Sequence, residues 1–394
     1  MDASVDRASI RTRRWQAAYT LAACMVGLLL MVRLYEWQVV QHTELVQKAA
    51  SEHVSRETIP AERGTIYDAT GNPLVANVSY DLVFAVPSEL NNPTLEAEKL
   101  APILGMPADS ILARFQLNKN WVALAHKQPP QVGAQIRALQ TTEKQQHGQE
   151  LRGIGLQPES KRIYPSGSLA SQVLGFTTYD GVGQYGVESA FNNQLSGTPG
   201  RLTVERDVTG KELDLGDRTM DPPQNGADLY LTIDHTMQFI VEKQLADAIQ
   251  QHQATGGTVI VLNPHTGAIY AMASVPTYDP NHFETTDAKL FVDPAISTPF
   301  EPGSTFKIIT MASGLETHTV TPDTTMVDTG SELVGGQTIW DWDHKAHGTV
   351  TMVDVLAHSL NLGAAFVGRK VGANDFYRFV QNFGFGQRTG VDLQ

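Results

Sequence analysis

An uncharged apolar run near the N-terminus constrains this chain more than any other feature. No charged side chain occurs from Trp15 to Val32, and as a helix this run would be about 27 Å long at 1.5 Å per residue. That length just crosses the hydrocarbon core of a bilayer. Because positive charge keeps a short flank in the cytoplasm, the sequence predicts a cytoplasmic tail at 1–14, a transmembrane anchor at 15–36 and an extracytoplasmic remainder. The preceding charges are Arg7, Arg11, Arg13 and Arg14.

Two other readings of this segment are weaker. A cleaved signal peptide has a shorter apolar region and a small-residue exit site, whereas this run continues through Leu28–Val32. Leu21–Cys24 resembles a bacterial lipoprotein signal, but apolar residues continue for eight positions past Cys24. An uncleaved signal anchor is therefore favoured. As Cys24 is the only cysteine, an intramolecular disulfide and a cysteine-built metal site are excluded.

Charge and length limit the function classes. Asp plus Glu number 42 against 29 for Lys plus Arg, a formal charge of −13. This balance argues against a nucleic-acid partner, because phosphates require a basic face. The 394 residues suggest two or three domains at roughly 150 residues each.

Composition divides the extracytoplasmic part near Asp221–Pro223. Before it, within 37–222, residues 38–55 read as a polar helical stalk, 58–87 as strand-like pieces and 92–150 as helical and polar, and glycine-rich turns from Gly153 to about Pro222 favour a loop-and-strand module. After it, Asp234 is a candidate cap for a helix, and apolar residues recur at helical spacing. Strand patterns in TVIVL and AIYAMA then flank NPHTG, which predicts a β-hairpin. A helix beside an antiparallel hairpin implies a mixed domain at 223–394.

The stretch from Glu301 to Thr310 carries the first candidate chemistry. Pro302 and Gly303 predict a loop, and the apolar residues Phe306, Ile308 and Ile309 predict a buried helix after it. Ser304 would lie at the helix N-terminus, where the dipole favours a developing alkoxide. Lys307 would share its helix face, and in apolar surroundings this lysine could lose its proton and act as a base.

A second element raises the significance of this pair. S-x-x-K alone occurs by chance roughly once or twice in such a chain, and its non-catalytic interpretation is a surface serine and lysine. The only S-x-N is Ser359-Leu360-Asn361, at the end of another apolar helical pattern. Its hydroxyl and amide could complete a proton relay and hold a substrate amide, although alone it would more often be a turn or cap.

The run from Trp340 to His347 contains possible metal ligands. No cysteine or nearby third partner completes a tetrahedral set, so a solvated loop near the cleft is favoured. Trp340 or Trp342 is then a candidate for lining the substrate groove.

Together these motifs resemble a known family. S-x-x-K and S-x-N belong to the signature of penicillin-binding proteins and class A β-lactamases, and EPGSTFK resembles the active-serine box of bitopic class B penicillin-binding proteins. Three further segments resemble the motifs of that family's non-catalytic pedestal, and FGFGQRTGVDL matches near the end. These segments are Arg63–Asp68, Arg162–Gly167 and Gly183–Glu188.

This sequence departs from the family pattern at three places. Ala69-Thr70-Gly71 stands where Arg-x-Gly is more usual, and Ser-Leu-Asn replaces the more frequent Ser-Ser-Asn. The third box, K-T/S-G, does not occur before Gln394. We therefore expect a transpeptidase domain cut short at its C-terminus and little acylation of residues 1–394 by themselves.

The resemblance implies an α+β protein with a transmembrane helix, an elongated and mostly β pedestal and a partial transpeptidase domain. That domain would have an antiparallel sheet with helices on both sides. It also implies a serine-type D,D-transpeptidase of peptidoglycan in which Ser304 attacks D-alanyl-D-alanine and Lys307 is its base. Ser359 would pass a proton to the departing D-alanine, and Asn361 would hold the substrate backbone. No metal or cofactor is required.

The resemblance also implies partners and leaves alternatives open. Wall stem peptides and β-lactams would meet Ser304, and the bacterial membrane would hold the anchor. A membrane-embedded glycan polymerase and other division or elongation proteins would dock on the pedestal or anchor. The alternatives are a serine β-lactamase or D,D-carboxypeptidase, and a non-catalytic scaffold of the division or elongation machinery.

Overall fold

The computed structural model describes residues 3–45, 54–147, 151–205 and 218–393. Its backbone forms two compact units. The N-terminal unit comprises Met1–Ser168, Phe176–Gln184 and Phe191–Met237, and the C-terminal unit comprises Leu169–Gly175, Tyr185–Ala190 and Gln238–Gln394. Each unit therefore consists of three separate segments of the chain, so one boundary along the sequence does not separate the two units. The domain boundary between residues 222 and 223 stays a prediction.

A long apolar helix begins the described chain. Helix α1 (Ala3–Tyr35) continues into a π-helical turn at Glu36–Val40. Its stretch Tyr19–Val40 is apolar and long enough to cross a membrane, and the two charged residues within this stretch, Arg33 and Glu36, pair with each other. The helix fits a single-pass membrane anchor. It starts within the predicted tail, so that tail is helical from Ala3 onward.

The other helices are mostly short. In chain order they are α2 (Pro93–Leu104), α3 (Ala108–Phe115), α4 (Pro130–His147), α5 (Ser171–Leu174), α6 (Gly186–Ala190), α7 (Asn192–Ser196), α8 (His235–His252), α9 (Pro294–Ser297), α10 (Lys307–Glu316), α11 (Met352–Ala357), α12 (Asn361–Val371) and α13 (Ala373–Asn382).

Two sheets organise the N-terminal unit. Strand β3 lies at the centre of a five-stranded sheet, antiparallel to β2, β4 and β5, while β10 is parallel to β2. A three-stranded antiparallel sheet has the order β1-β8-β9, and β6 pairs with β7. The strands are β1 (Val54–Ile59), β2 (Ile66–Tyr67), β3 (Pro73–Ala85), β4 (Val122–Gln128), β5 (Ile154–Ile163), β6 (Phe176–Thr177), β7 (Gly183–Gln184), β8 (Gly200–Glu205), β9 (Arg218–Asp221) and β10 (Leu229–Tyr230).

Helices α2, α3 and α4 cover the β3–β4–β5 part of this sheet through a shared apolar core. Packing one face of the sheet against helices removes apolar surface from water, which stabilises the fold by about 25 cal/mol per Å² buried. The N-terminal unit is therefore mixed α and β. The fully buried members of this core are Val83, Ala85, Leu100, Ile111 and Ile136.

The C-terminal unit contains the predicted hairpin. Strand β11 (Gly257–Leu262) pairs antiparallel with β12 (Ile269–Val275), which confirms the pattern in TVIVL and AIYAMA. In the part of the chain that the structure describes, the other strands of this unit form two further antiparallel pairs, β13–β16 and β14–β15. These strands are β13 (Thr325–Asp328), β14 (Ser331–Val334), β15 (Gln337–Trp340) and β16 (Gly348–Thr351).

Helix α8 binds the hairpin through a buried amide. Its first turn is capped as predicted, since Asp234 Oδ1 accepts from the Met237 amide at 2.8 Å. The Gln238 side chain, fully buried, donates to the Met272 carbonyl and accepts from the Met272 amide, both at 2.8 Å. Ile240, one of the apolar residues that recur at helical spacing after Asp234, is instead exposed. A polar side chain thus joins α8 to β12 where the apolar pattern alone indicated packing.

The Asp68 carboxylate fixes a tight turn before β3. It is fully buried and accepts from the amides of Thr70 at 2.8 Å and Asn72 at 2.7 Å, besides both side chains. Although burial acts to raise the pKa of Asp68, these hydrogen bonds together lower it to about 2. The ionised form is therefore the one that the fold stabilises.

We expect Asp68→Ala to lower the free energy of unfolding by about 1–3 kcal/mol at neutral pH, because buried amides lose their acceptor. A lowered pKa stabilises the fold above the ordinary value of 3.8 and loses that effect as pH falls toward about 2. The deficit measured by chemical denaturation should therefore shrink below about pH 4. The control Asp180→Ala removes an exposed carboxylate from the same unit; an equal deficit there would contradict this role.

Candidate active site

Ser304 lies in a 3₁₀ turn at Gly303–Phe306, and helix α10 follows it directly. Gly303 has φ of 56°, a left-handed conformation that glycine adopts without steric cost. The Ser304 residue is exposed. The loop-then-helix pattern of this segment is therefore confirmed, with the helix beginning at Lys307.

The predicted burial of this segment is only partly correct. Ile309 and Met311 are buried, whereas Ile308 is 64% exposed. Ile308 and Ile309 point about 100° apart on the helix, and in this structure Ile309 faces the core while Ile308 faces solvent. Three apolar residues in four positions therefore overstated the buried face.

The Lys307 ammonium group joins this segment to the S-x-N motif. Its Nζ donates to the Ser359 carbonyl at 2.5 Å, to Ser359 Oγ at 3.2 Å and to Asn361 Oδ1 at 2.7 Å. Lys307 is half-buried. These contacts bring together residues more than fifty positions apart, which is the arrangement that the two sequence motifs suggested.

The S-x-N motif is the turn between helices α11 and α12. A reciprocal capping box between Thr351 and Asp354 starts α11. Ser359 follows the end of that helix with φ of 55°, and the Leu360 amide donates back to the Val355 carbonyl at 2.9 Å. Asn361 is the first residue of α12. The motif is thus a turn, as its non-catalytic interpretation proposed, and its side chains also contact Lys307.

Backbone and side chain both fix Asn361. Its Nδ2 donates to the Trp340 carbonyl at 2.7 Å, and its amide donates to Asp341 Oδ1 at 2.5 Å. The Leu362 amide donates to the same oxygen at 3.2 Å. Asp341 therefore accepts hydrogen bonds from amides at the N-terminus of α12 that have no partner within the helix.

Electrostatics at this site have two opposing causes. Burial lowers the pKa of Lys307, while the negative charge of Asp341 acts to raise it, and the net direction is down. Burial together with the neighbouring Asp328 raises the pKa of Asp341. A lysine with a lowered pKa is nearer to the neutral form that a general base needs.

The two tryptophans flank the S-x-N turn. Trp342 is 68% exposed, and its indole N–H donates to the His358 carbonyl at 2.9 Å. Trp340 is 49% exposed, with its ring 5.4 Å from that of His344. Their exposed faces leave apolar surface beside the motif.

The Ser304 hydroxyl makes no hydrogen bond within the described residues. Ser304 and Lys307 are therefore related here only by their three-residue spacing along the chain. Sequence reasoning missed Asp328 and Asp341 as partners of this site. Asp341 entered only as a possible ligand in a polar loop. The alternation of apolar and polar residues does not show that this carboxyl group is fully buried.

Comparisons with known proteins agree with both units. Residues 58–231 match the family described as Penicillin-binding Protein dimerisation domain, and residues 257–394 match the Penicillin binding protein transpeptidase domain. The chain belongs to the class B penicillin-binding proteins.

Two curated relatives resemble nearly the whole chain. Stage V sporulation protein D of Bacillus subtilis is 31% identical over 95% of this chain and 57% of its own length. Peptidoglycan D,D-transpeptidase FtsI of Buchnera aphidicola is 29% identical over 93% of this chain and 63% of its own length. The chain therefore spans about three fifths of the length of these relatives.

A solved structure supports the fold. The complex described as Penicillin-Binding Protein (PBP2) and MreC from Helicobacter pylori contains a chain that matches with a TM-score of 0.68 and 22% identity. The match covers 86% of this chain and 67% of that one. The α+β fold, with a dimerisation domain before a transpeptidase domain, is thereby confirmed.

We expect Asn361→Asp to raise the pKa of Lys307, because a carboxylate within hydrogen-bond distance favours the ammonium form. Reductive methylation with ¹³C-labelled formaldehyde followed by NMR titration would measure the lysine pKa without any assay of activity. The exposed Asn374 offers the control Asn374→Asp. A Lys307 pKa that rises equally in both variants, or in neither, would contradict the contact.

Proposed function

We propose that this chain acts as a peptidoglycan D,D-transpeptidase that cross-links wall stem peptides through an acyl-enzyme on Ser304. The observation that carries this proposal is the Lys307 side chain, which contacts Ser359 Oγ at 3.2 Å and Asn361 Oδ1 at 2.7 Å. It joins the nucleophile's motif to the second motif. The relatives named as peptidoglycan D,D-transpeptidases support the same reaction.

Acylation follows from these positions. Neutral Lys307 takes the proton of the Ser304 hydroxyl as Oγ attacks the carbonyl carbon of the penultimate D-alanine. The tetrahedral intermediate collapses, the carbon–nitrogen bond to the terminal D-alanine breaks, and Ser359 relays the proton to the departing amine. The Ser304 amide contributes half of the oxyanion hole.

Deacylation completes the transfer. An amine of a second stem peptide attacks the acyl carbon, loses a proton to the same base and displaces Ser304, which regains its hydroxyl hydrogen. The new amide bond is the cross-link. A β-lactam ring opens on Ser304 in the same way but retains its amine within the adduct, so the acyl-enzyme persists.

Substrate binding would use the rest of the turn. The Asn361 amide group is fixed by Trp340 and Lys307, so its orientation is set before a substrate backbone arrives. The exposed faces of Trp340 and Trp342 lie beside the same turn and would line the groove for the stem peptide. Apolar and aromatic surfaces with a few placed polar groups are typical of such grooves.

The N-terminal part would position this reaction. The apolar helix would cross the bacterial membrane once, with residues 1–14 in the cytoplasm and the catalytic unit outside. Residues 37–222 would form the pedestal. A membrane-embedded glycan polymerase and other division or elongation proteins are the expected partners, and the described complex of PBP2 with MreC supports partners of this class.

We expect protein from the complete coding region to form a covalent adduct with fluorescent penicillin, and Ser304→Ala to abolish it because the nucleophile is lost. Lys307→Ala should slow adduct formation about 10²- to 10⁴-fold, the usual contribution of a general base. Gel fluorescence after timed labelling measures both effects. Ser297→Ala makes the same chemical change at an exposed serine and should label normally.

Three outcomes would overturn the transpeptidase assignment. Failure of the unaltered protein to label would favour a non-catalytic scaffold. An adduct that turns over in seconds would favour a β-lactamase. Release of D-alanine from a stem peptide without transfer to an added amine acceptor would favour a D,D-carboxypeptidase.

A further inference from the structure

Two buried carboxyl groups lie behind the S-x-N turn. Asp328 is 1% exposed and Asp341 is fully buried. Burying an ionised carboxylate is costly unless donors or opposite charges compensate it. The burial of both groups therefore requires hydrogen-bond donors or a proton within the protein interior.

Backbone donors reach only one oxygen of each group. Asp341 Oδ1 accepts from the Asn361 and Leu362 amides, and Asp328 Oδ1 accepts from the Gly330 amide at 2.7 Å. Each Oδ2 is buried and has no donor of its own within the described residues. Asp328 is near enough to Asp341 for its carboxyl group to raise the pKa of Asp341.

Local backbone geometry enforces this proximity. The Asp341 amide donates to the Gly330 carbonyl at 3.1 Å, just beyond the paired strands β14 and β15. Gly330 has φ of 76°, and a Cβ there would lie 2.7 Å from the Lys345 backbone. Only glycine fits this position, and the resulting turn brings the Asp328 carboxyl group to that of Asp341.

The two buried oxygens need one hydrogen between them. Without it, two like charges would face each other in a low-dielectric interior. With one proton, one group donates to the other, both Oδ2 atoms are satisfied, and the pair carries a single negative charge. The partial positive charge at the N-terminus of α12 stabilises this negative charge.

We propose that Asp328 and Asp341 form a positioning pair, which shares one proton and holds the S-x-N turn against Lys307. The pair acts through other residues. Its Oδ1 contacts fix the backbone of Asn361, whose side chain contacts the lysine. Its net charge of one, rather than two, limits how strongly it favours the ammonium form of Lys307.

The charged groups acting on this lysine are few. In the part of the chain that the structure describes, Asp341 is the charge that contributes to the pKa shift of Lys307. Asp328, on β13, is the charge that acts on Asp341. The remaining contributions are burial and hydrogen bonds from the α12 backbone. A change at either aspartate should therefore be measurable at the lysine.

The shared proton can be observed without any assay of activity. Infrared difference spectra at neutral pH should contain the C=O stretch of a protonated carboxylic acid, and this band should disappear in both Asp328→Asn and Asp341→Asn. Each asparagine keeps the shape and supplies a donor to the remaining carboxylate. The control Asp323→Asn replaces an exposed carboxylate in the same unit and should retain the band.

A second measurement rests on the proposed function and uses the acid limb of the pH–rate profile for penicillin acylation by protein from the complete coding region. Asp341→Asn removes the charge nearest to Lys307, so the limb should move to lower pH. Asp328→Asn leaves a full charge on Asp341, so the limb should move to higher pH. We expect the two limbs to be separated by about one pH unit, with Asp323→Asn unchanged.

The outcomes separate the two proposals. A pair with both groups ionised would give no carboxylic-acid band, and both limbs would move to lower pH; either result overturns the shared proton. Equal limbs in a labelling protein would overturn the link to Lys307. Loss of labelling in the unaltered protein, with the infrared band present, would refute the transpeptidase and leave the carboxyl pair intact.

Discussion

The contact between the Lys307 amine and the S-x-N turn is the interaction on which the rest of the C-terminal unit depends. One flexible side chain reaches a carbonyl, a hydroxyl and an amide oxygen at 2.5–3.2 Å. A lysine loses rotamer freedom when it is fixed in this way, at a cost of up to about 2 kcal/mol. Burial lowers its pKa at the same time. The surrounding structure must therefore hold the acceptors in place before the lysine arrives, and helices α11 and α12 do so.

Buried polar side chains repeatedly join backbone segments in this unit. Gln238 binds the Met272 peptide from α8, and Asp341 binds the first amides of α12. Each replaces a backbone partner that neither strand nor helix provides. Such contacts are directional, whereas apolar packing is not. They set the register between elements whose apolar faces alone would permit several arrangements.

The sequence predicted those features that depend on neighbouring residues. The anchor helix, the Asp234 cap, the β11–β12 hairpin and the position of the S-x-N motif at a helix end follow from local patterns, and the structure contains them. The burial of Asp341 and the exposure of Ile308 depend on packing between distant segments, so local patterns could not indicate them. The same reason explains why two short segments of the first half belong to the second unit. The roles of Ser304, Lys307, Ser359, Asn361 and the two tryptophans stay predictions.

Leu360, the middle residue of the S-x-N motif, has a consequence for how this protein can vary. Its side chain is fully buried in the same apolar cluster as Met311, Val355 and Val367, while the residues on either side contact the lysine. Ser359 holds an unfavourable left-handed backbone, which only surrounding structure can maintain. The buried leucine is part of that structure, so repacking this core would loosen the turn without changing Lys307, Ser359 or Asn361. Under the proposed function, resistance to a β-lactam would thus arise from substitutions in the hydrophobic interior, at positions that do not contact the inhibitor.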